Sequence, residues 1–374
     1  MKQIKVAVVI PTHTNIRSSL HVLLDIYTYL TKTKNLHVAI FTDSSNKEIY
    51  KGFKTVRIKG IDYNTIWSKI LFIFGIPRYY YTDLVEKLKG YDVIETSNPE
   101  FYIFAYQSYL AAKKYNTKLI LRTSQTVEGF YLFKLTKYFV VPIVKKAYDY
   151  ASWLFFTNFE AAERAEKLGL MEKNSKRKII TGHAIDTTVF KPLKVKEPKN
   201  QIILSVAGLY KIKGHQLIIE TLTKVRMQHD AELWIVGEGY YKKTLEELAG
   251  KLGLGKYVKF LGSNSKEELA KIYNMADVFV LANYQEITPA VNEALACEVP
   301  VVVMECGGRK FVIPDENYGL IAKKFDTEDM ANKIVKILEN KKFAKKIAEN
   351  GRRHVLKNFS VEVVAEKFYN AFVK

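Results

Sequence analysis

The sequence predicts an α/β protein built from two Rossmann-like domains, on three observations. Short β-branched runs alternate with amphipathic helical stretches along nearly the whole chain, the pattern of a parallel sheet covered by helices on both faces. The chain has 374 residues, more than one domain of roughly 150 residues needs. The periodicity stops once, near residues 190–200, and then restarts.

In the first half the expected strands are Lys5 to Ile10, His37 to Phe41, Asp92 to Thr96, Leu119 to Arg122 and Leu154 to Thr157. Each is a run of branched and aromatic residues short enough to be a buried strand. Leu20 to Thr31 and Phe101 to Tyr115 carry helical periodicity. From Phe190 to Asn200 the pattern gives way to two prolines and four lysines, which reads as an exposed linker. Residues 1–190 and 191–354 are therefore the expected domains, with a last helix at about 355–374 packing back on the first.

The second half repeats the alternation. Expected strands are Ile202 to Val206, Glu232 to Val236, Val258 to Leu261, Val278 to Leu281 and Val299 to Met304. Expected helices are Gln216 to Val225, Lys242 to Lys251, Lys266 to Met275 and Pro289 to Ala296. Paired domains of this kind bind ligands at the carboxyl ends of their strands, so the site is expected in the cleft where the two face each other.

Composition narrows the partners. Hydrophobic residues make up 48% and charged residues 26%, which excludes collagen-like and disordered classes. Lys and Arg total 58 against 39 Asp and Glu, a formal charge of +19 that favours an anionic partner. Cys297 and Cys306 form no Cys-x-x-Cys pair and stand near no His at ligand spacing, so no metal site or disulfide framework is expected. A reducing cytoplasm fits. The apolar stretch Val6 to Pro11 is too short for a signal peptide and reads as a first strand. No run of 18 apolar residues is present to span a bilayer.

Two segments carry the chemistry. In the first, Asn283 to Val303, a strand ends at Leu281, a polar loop follows, Thr288 can cap the next helix and Pro289 suits its first turn. The backbone N–H groups of Ala290, Val291 and Asn292 are then expected at a positive helix end able to bind phosphate. Glu293, one turn on, can accept two hydrogen bonds from the vicinal diol of a ribose; an acidic residue also suits an early helical turn by charge alone. The second segment, Leu204 to Ile218, places Lys213 and Gly214 at a strand-to-helix turn, where a lysine is a mobile point charge for a diphosphate.

An ordered series of motifs extends these two. It comprises Ala184 to Pro192, Leu233 to Gly239, Val258 to Gly262, Met275 to Val280, Glu293 to Pro300, and Gly307-Gly308 with Tyr318-Gly319. In order and spacing it resembles the GT-B retaining nucleotide-sugar glycosyltransferases, in particular family 4 (glycosyl transferases group 1). The resemblance implies a GT-B architecture, with an N-terminal acceptor domain and a C-terminal donor domain. It implies transfer of a hexose from a UDP- or GDP-linked sugar to a hydroxyl of a glycan, lipid or lipid-linked acceptor. It also implies Glu293 on the donor ribose, Lys213 on the diphosphate and the turn after Gly262 facing the base.

Departures from the family pattern carry information too. The first member of its Glu-x7-Glu pair falls on Gln285, with Glu286 next to it. Either Gln285 meets the donor sugar as a neutral amide, or the loop shifts so that Glu286 serves. The family's phosphate Arg falls on Gly208, leaving Lys211 as a partial substitute. The glycine pair after the first strand is replaced by His13 to Ser19, where Arg17 is an acceptor-side candidate; Gln125 stands where relatives carry a His.

No Asp-x-Asp recommends a metal, and no cofactor is expected, the nucleotide sugar being a substrate. The resemblance further implies retention by a front-face route, the leaving phosphate taking the acceptor's proton. Tyr63 to Tyr81 and Phe130 to Lys146 mix aromatic, apolar and lysine residues as interfacial segments do, although core helices share that pattern. If interfacial, they place the protein peripherally at the inner face of the cell membrane. The alternatives are a GT-B nucleotide-sugar epimerase and a catalytically inactive GT-B partner subunit. A nucleic-acid binder ranks last, for want of any recognisable module.

Overall fold

The computed structural model describes residues 3–10, 17–44, 46, 50–62, 79–97, 102–123, 134–196 and 198–374. By contact the chain divides into two units, Met1–Gly182 with Val364–Lys374, and His183–Val363.

The first unit runs β1 (Ile4–Val9), α1 (Arg17–Thr33), β2 (Leu36–Asp43), β3 (Lys54–Ile58), β4 (Gly60–Asp62), β5 (Tyr79–Tyr81), α2 (Leu84–Lys87), β6 (Val93–Ser97), α3 (Tyr102–Tyr115), β7 (Lys118–Thr123), α4 (Lys134–Tyr150), β8 (Trp153–Phe156), α5 (Phe159–Lys167) and β9 (Lys178–Ile180). Among the described residues its main sheet is parallel, in the order β3-β2-β1-β6-β7-β8-β9. The edge strands β3 and β9 escape sequence patterning because they are short and half-exposed, so no continuous apolar run marks them.

One charged group lies inside this sheet. Glu95 on β6 is fully buried; Arg122 on β7 donates from Nε to Glu95 Oε1 (2.9 Å), and Tyr27 of α1 donates its phenol to Glu95 Oε2. Arg122 Nη2 also reaches Ser97 Oγ at 2.5 Å. Burial pushes the Glu95 carboxyl up, and the Arg122 charge opposes it.

The second unit runs β10 (Gln201–Val206), a 3-10 turn (Lys211–Lys213), α6 (His215–Val225), β11 (Ala231–Val236), α7 (Lys242–Lys251), β12 (Val258–Gly262), α8 (Lys266–Asn274), β13 (Val278–Leu281), α9 (Pro289–Ala296), β14 (Val301–Met304), α10 (Arg309–Val312), β15 (Leu320–Ala322), α11 (Thr327–Glu339) and α12 (Lys341–Phe359). Its sheet is parallel, in the order β12-β11-β10-β13-β14-β15 among the described residues. The order reverses between β10 and β13, and the carboxyl ends of the strands at such a reversal form a ligand-binding crevice.

Strand alternation builds two cores in this unit. Ile203, Val278, Val280 and Val302 pack with Ile219, Leu245 and Ile334 of α6, α7 and α11. Leu204, Phe279, Leu281 and Val303 pack with Tyr273, Val291 and Phe359 of α8, α9 and α12. Helix starts follow local chemistry: Ser265 and Glu268 form a reciprocal capping box on α8, and Asp326 caps α11 through the Asp329 N–H.

The stretch expected as a linker is anchored. Phe190 is buried and meets Tyr273 edge-on, Leu193 donates its N–H to Asn274 Oδ1 (2.7 Å), and Asn274 Nδ2 donates to the Lys191 carbonyl (3.0 Å). The two units accordingly meet in sequence at Gly182 and His183, ahead of the prolines. A last helix, α13 (Val361–Val373), starts in the second unit, and its residues from Val364 belong to the first. No helix among the described residues is long and apolar enough to cross a membrane.

Candidate functional site

The loops leaving β10, β13 and β14 are tied together by backbone hydrogen bonds. Gly214, in the left-handed conformation (φ 74°), closes the 3-10 turn; a Cβ there would lie 2.0 Å from the Ala282 carbonyl oxygen, so only glycine fits. The Tyr284 N–H donates to the Ile212 carbonyl at 3.1 Å, joining the β10 loop to the β13 loop. Ile287 N–H donates to Gly307 O (2.8 Å), and Gly307 N–H to Gln285 O (2.9 Å), joining the β13 loop to the β14 loop. Asn283, buried, donates from Nδ2 to the Glu286 carbonyl (2.6 Å) and fixes the turn from within.

This lacing decides which side chains meet. Lys213 is half-buried, and burial lowers its ammonium's pKa while the Glu286 carboxylate and Cys306 act in the opposite sense. The Glu286 carboxylate is thus within electrostatic reach of Lys213 and half-buried, and Gln285 is exposed. Lys211 is exposed on the same turn, with its carbonyl accepting from Gln216 Nε2 (3.2 Å). His215 opens α6 fully buried, its Nδ1 3.3 Å from Ser205 Oγ.

Pro289 takes the first position of α9 as expected, and two features of this helix start depart from the sequence reading. Thr288 is the N-cap in extended conformation but makes no capping hydrogen bond; its buried hydroxyl has no partner. The Val291 N–H donates to the Thr288 carbonyl at 3.1 Å, because the first turn is drawn tight, so this donor is already used. Ala290, Val291 and Asn292 are themselves buried, and Asn292 Nδ2 donates to the His183 carbonyl (2.9 Å).

Glu293 lies half-buried one turn on, and Tyr273 of α8 donates its hydroxyl to Glu293 Oε2 at 2.8 Å. Burial, reinforced by Glu293, holds the Tyr273 phenol protonated well above its usual range, so it stays a donor at neutral pH. Sequence reading missed Tyr273, Asn283 and Cys306 as site residues. Tyr273 sits at a helical core spacing, and only the fold turns its hydroxyl toward Glu293.

On the other side of β10, Gly237 N–H donates to Gly262 O (2.8 Å), and a Cβ on Gly262 would stand 3.0 Å from Glu238 Oε1. Gly208 lies under the Tyr210 ring, where a Cβ would come within 2.6 Å of the ring edge. The lysine turn, the Gly208 loop, the Gly262 turn and the α9 start all leave the carboxyl edge of the second sheet. In the first unit Arg17 is the first residue of α1, with its side chain outside the described residues, and Gln125 lies outside them altogether. So do 63–78 of the first aromatic segment and 130–133 of the second; in α4, which takes up the remainder, Val140 and Val144 are buried and Tyr138 is exposed. No group of three or more potential metal ligands gathers among the described residues.

Residues 186–354 match the Glycosyl transferases group 1 family. An uncharacterized glycosyltransferase of Methanocaldococcus jannaschii is 30% identical over 173 residues, which is 46% of this chain and 44% of that relative's length. The N,N'-diacetylbacillosaminyl-diphospho-undecaprenol alpha-1,3-N-acetylgalactosaminyltransferase of Campylobacter jejuni is 26% identical, covering 79% of this chain and 81% of its own. The crystal structure of Anabaena HepE in complex with UDP superposes with a TM-score of 0.78 at 15% identity, over 99% of this chain and 100% of that one. The chain thus has the two-sheet GT-B fold and carries, over residues 186–354, a Glycosyl transferases group 1 domain.

Proposed function

We propose that this protein is a retaining hexosyltransferase of family 4. It moves a sugar from a UDP- or GDP-linked donor to a hydroxyl of a glycan, lipid or lipid-linked acceptor, without a metal ion. The observation that carries the reading is the hydrogen-bonded joining of the loops after β10 and β13, which brings Lys213 within electrostatic reach of Glu286 at the carboxyl edge of the sheet, beside the start of α9. A half-buried ammonium there supplies charge where the leaving diphosphate develops it, and a preorganised cation needs no reorganisation during reaction. Glu293, oriented by Tyr273, accepts the ribose hydroxyls, and the turn after Gly262 takes the base. The departing phosphate oxygen accepts the acceptor's proton on the face it leaves, which retains the anomeric configuration. The UDP held by the Anabaena structure and the diphospho-undecaprenol acceptor named for the Campylobacter relative support a nucleotide donor and a lipid-linked acceptor.

The test is thermal shift with UDP, GDP, ADP and their sugars, in magnesium and in EDTA. Stabilisation by one base that persists in EDTA is expected, and no shift with any nucleotide removes the reading. Lys213→Ala and Glu293→Ala are each expected to lower turnover about 100-fold, on the scale of losing one preorganised charge-stabilising group. Glu286→Ala is expected to cost far more activity than Gln285→Ala; the reverse order would assign the sugar contact to the exposed amide.

A further inference from the structure

The loop after β11 carries a carboxylate that the second unit does not use. Glu238 is exposed, and no hydrogen bond or ion pair engages its side chain among the described residues. In a chain with 58 Lys and Arg against 39 Asp and Glu, a carboxylate left without a cation on this lysine-rich edge is conspicuous.

The backbone fixes where it stands. Gly237 before it, at φ 140°, would put a Cβ 2.1 Å from the Ala207 carbonyl oxygen, and Gly239 after it would put one 2.3 Å from that of Leu209, so neither position bears a side chain. Between them the Glu238 carbonyl accepts from the Leu209 N–H (2.9 Å), and the Tyr241 N–H donates to the Leu209 carbonyl (3.0 Å), lacing this loop to the one after β10. Toward β12, the Gly237 N–H bonds the Gly262 carbonyl, and Glu238 Oε1 stands 3.0 Å from the place a Gly262 Cβ would take. The carboxylate therefore lies against the turn assigned above to the donor's base.

Its neighbours there agree in chemistry. Asn264 turns its amide N–H donors back to the Leu261 and Gly262 carbonyls (both 3.3 Å), leaving Oδ1 without a partner among the described residues. Both side chains thus offer acceptors. Tyr240, two residues past Glu238, is 76% exposed and lies 5.5 Å from Tyr210 between ring centroids, so a ring face is open for a base to stack on.

We propose that Glu238 makes the nucleotide site selective for guanine, an inference that rests on the transferase reading and names its donor base. An ionised carboxylate only accepts hydrogen bonds, and it does so best from two adjacent donors, one to each oxygen. Guanine presents such a pair, N1–H beside the N2 amine. Uracil sets its N3–H between two carbonyl oxygens, and adenine sets its N6 amine beside the N1 lone pair, so each brings an acceptor against the carboxylate.

Calorimetric titration of the full chain with GDP, IDP, UDP and ADP tests it. GDP is expected to bind at least about 10-fold tighter than UDP or ADP. IDP keeps N1–H but lacks the N2 amine, and is expected to bind roughly 30-fold more weakly than GDP, on the scale of one hydrogen bond to a charged group. Glu238→Gln, which sets an amide donor against the N2 amine, is expected to bring GDP and IDP to about equal affinity without changing thermal stability. A merely structural role for Glu238 would not move the ratio of GDP to IDP. Tighter binding of UDP or ADP than of GDP overturns the proposal, as does a GDP-to-IDP ratio that survives the substitution; either result leaves the transferase reading standing. Binding of no nucleotide at all overturns both.

Discussion

His215 shows how one residue couples the site to stability. It is fully buried behind the lysine turn, and burial lowers its pKa from 6.5 to about 4. The unfolded chain therefore binds more protons than the native one between these values, so stability is complete above about pH 6.5 and falls as pH drops toward 4. The loss amounts to roughly 3 kcal/mol, at about 1.4 kcal/mol per unit. Urea unfolding of the native chain and of His215→Gln from pH 7 to pH 4 checks it: the variant's curve should be flatter by about that amount, and parallel curves would refute the assignment. The places of Lys213 at a strand-to-helix turn and of Glu293 early in a helix were legible in the sequence because strand ends and helix starts are written locally. The Glu95–Arg122 pair was not, since the two residues meet only because β6 and β7 are neighbours in the sheet.

At the scale of elements, the turn closed by Gly214 holds the β10 loop against the end of β13. Gly214→Ala adds a Cβ into the Ala282 carbonyl and a left-handed penalty of about 1–2 kcal/mol. We expect a loss of at least about 2 kcal/mol in stability together with weaker nucleotide binding, measured by denaturant midpoint and thermal shift. An unchanged midpoint would mean that the two loops can separate freely. Continuous apolar runs in β13 and β14 made these strands readable, whereas β15, β3 and β9 have three to five residues each and too little pattern to find.

At the scale of the molecule, the chain's last residues complete its first unit. Phe368 and Phe372 of α13 pack on Tyr27 and Phe155, Lys118 Nζ donates to the Phe372 carbonyl (2.9 Å), and Lys34 pairs with Glu366 at 2.7 Å. Phe368→Ala opens a cavity in that core and is expected to cost about 3–5 kcal/mol. Hydrogen exchange should show protection falling in β1, β6 and β8 and holding in the second sheet. Equal loss in both sheets would mean that the two units unfold as one.

The sequence by itself determined the α/β class, the presence of two sheets, the order of the motifs and most of the residues at the second sheet's carboxyl edge. Periodicity, capping and turn chemistry act between near neighbours, so a single chain spells them out. Only the tertiary structure decided that the Glu286 carboxylate comes within electrostatic reach of Lys213, that the Val291 N–H is already engaged, and that Tyr273 donates to Glu293. Those outcomes depend on the register of one loop against another, set by the bonds from Ile287 to Gly307 and from Tyr284 to Ile212. Residues up to 72 positions apart fix that register, and no local pattern encodes it.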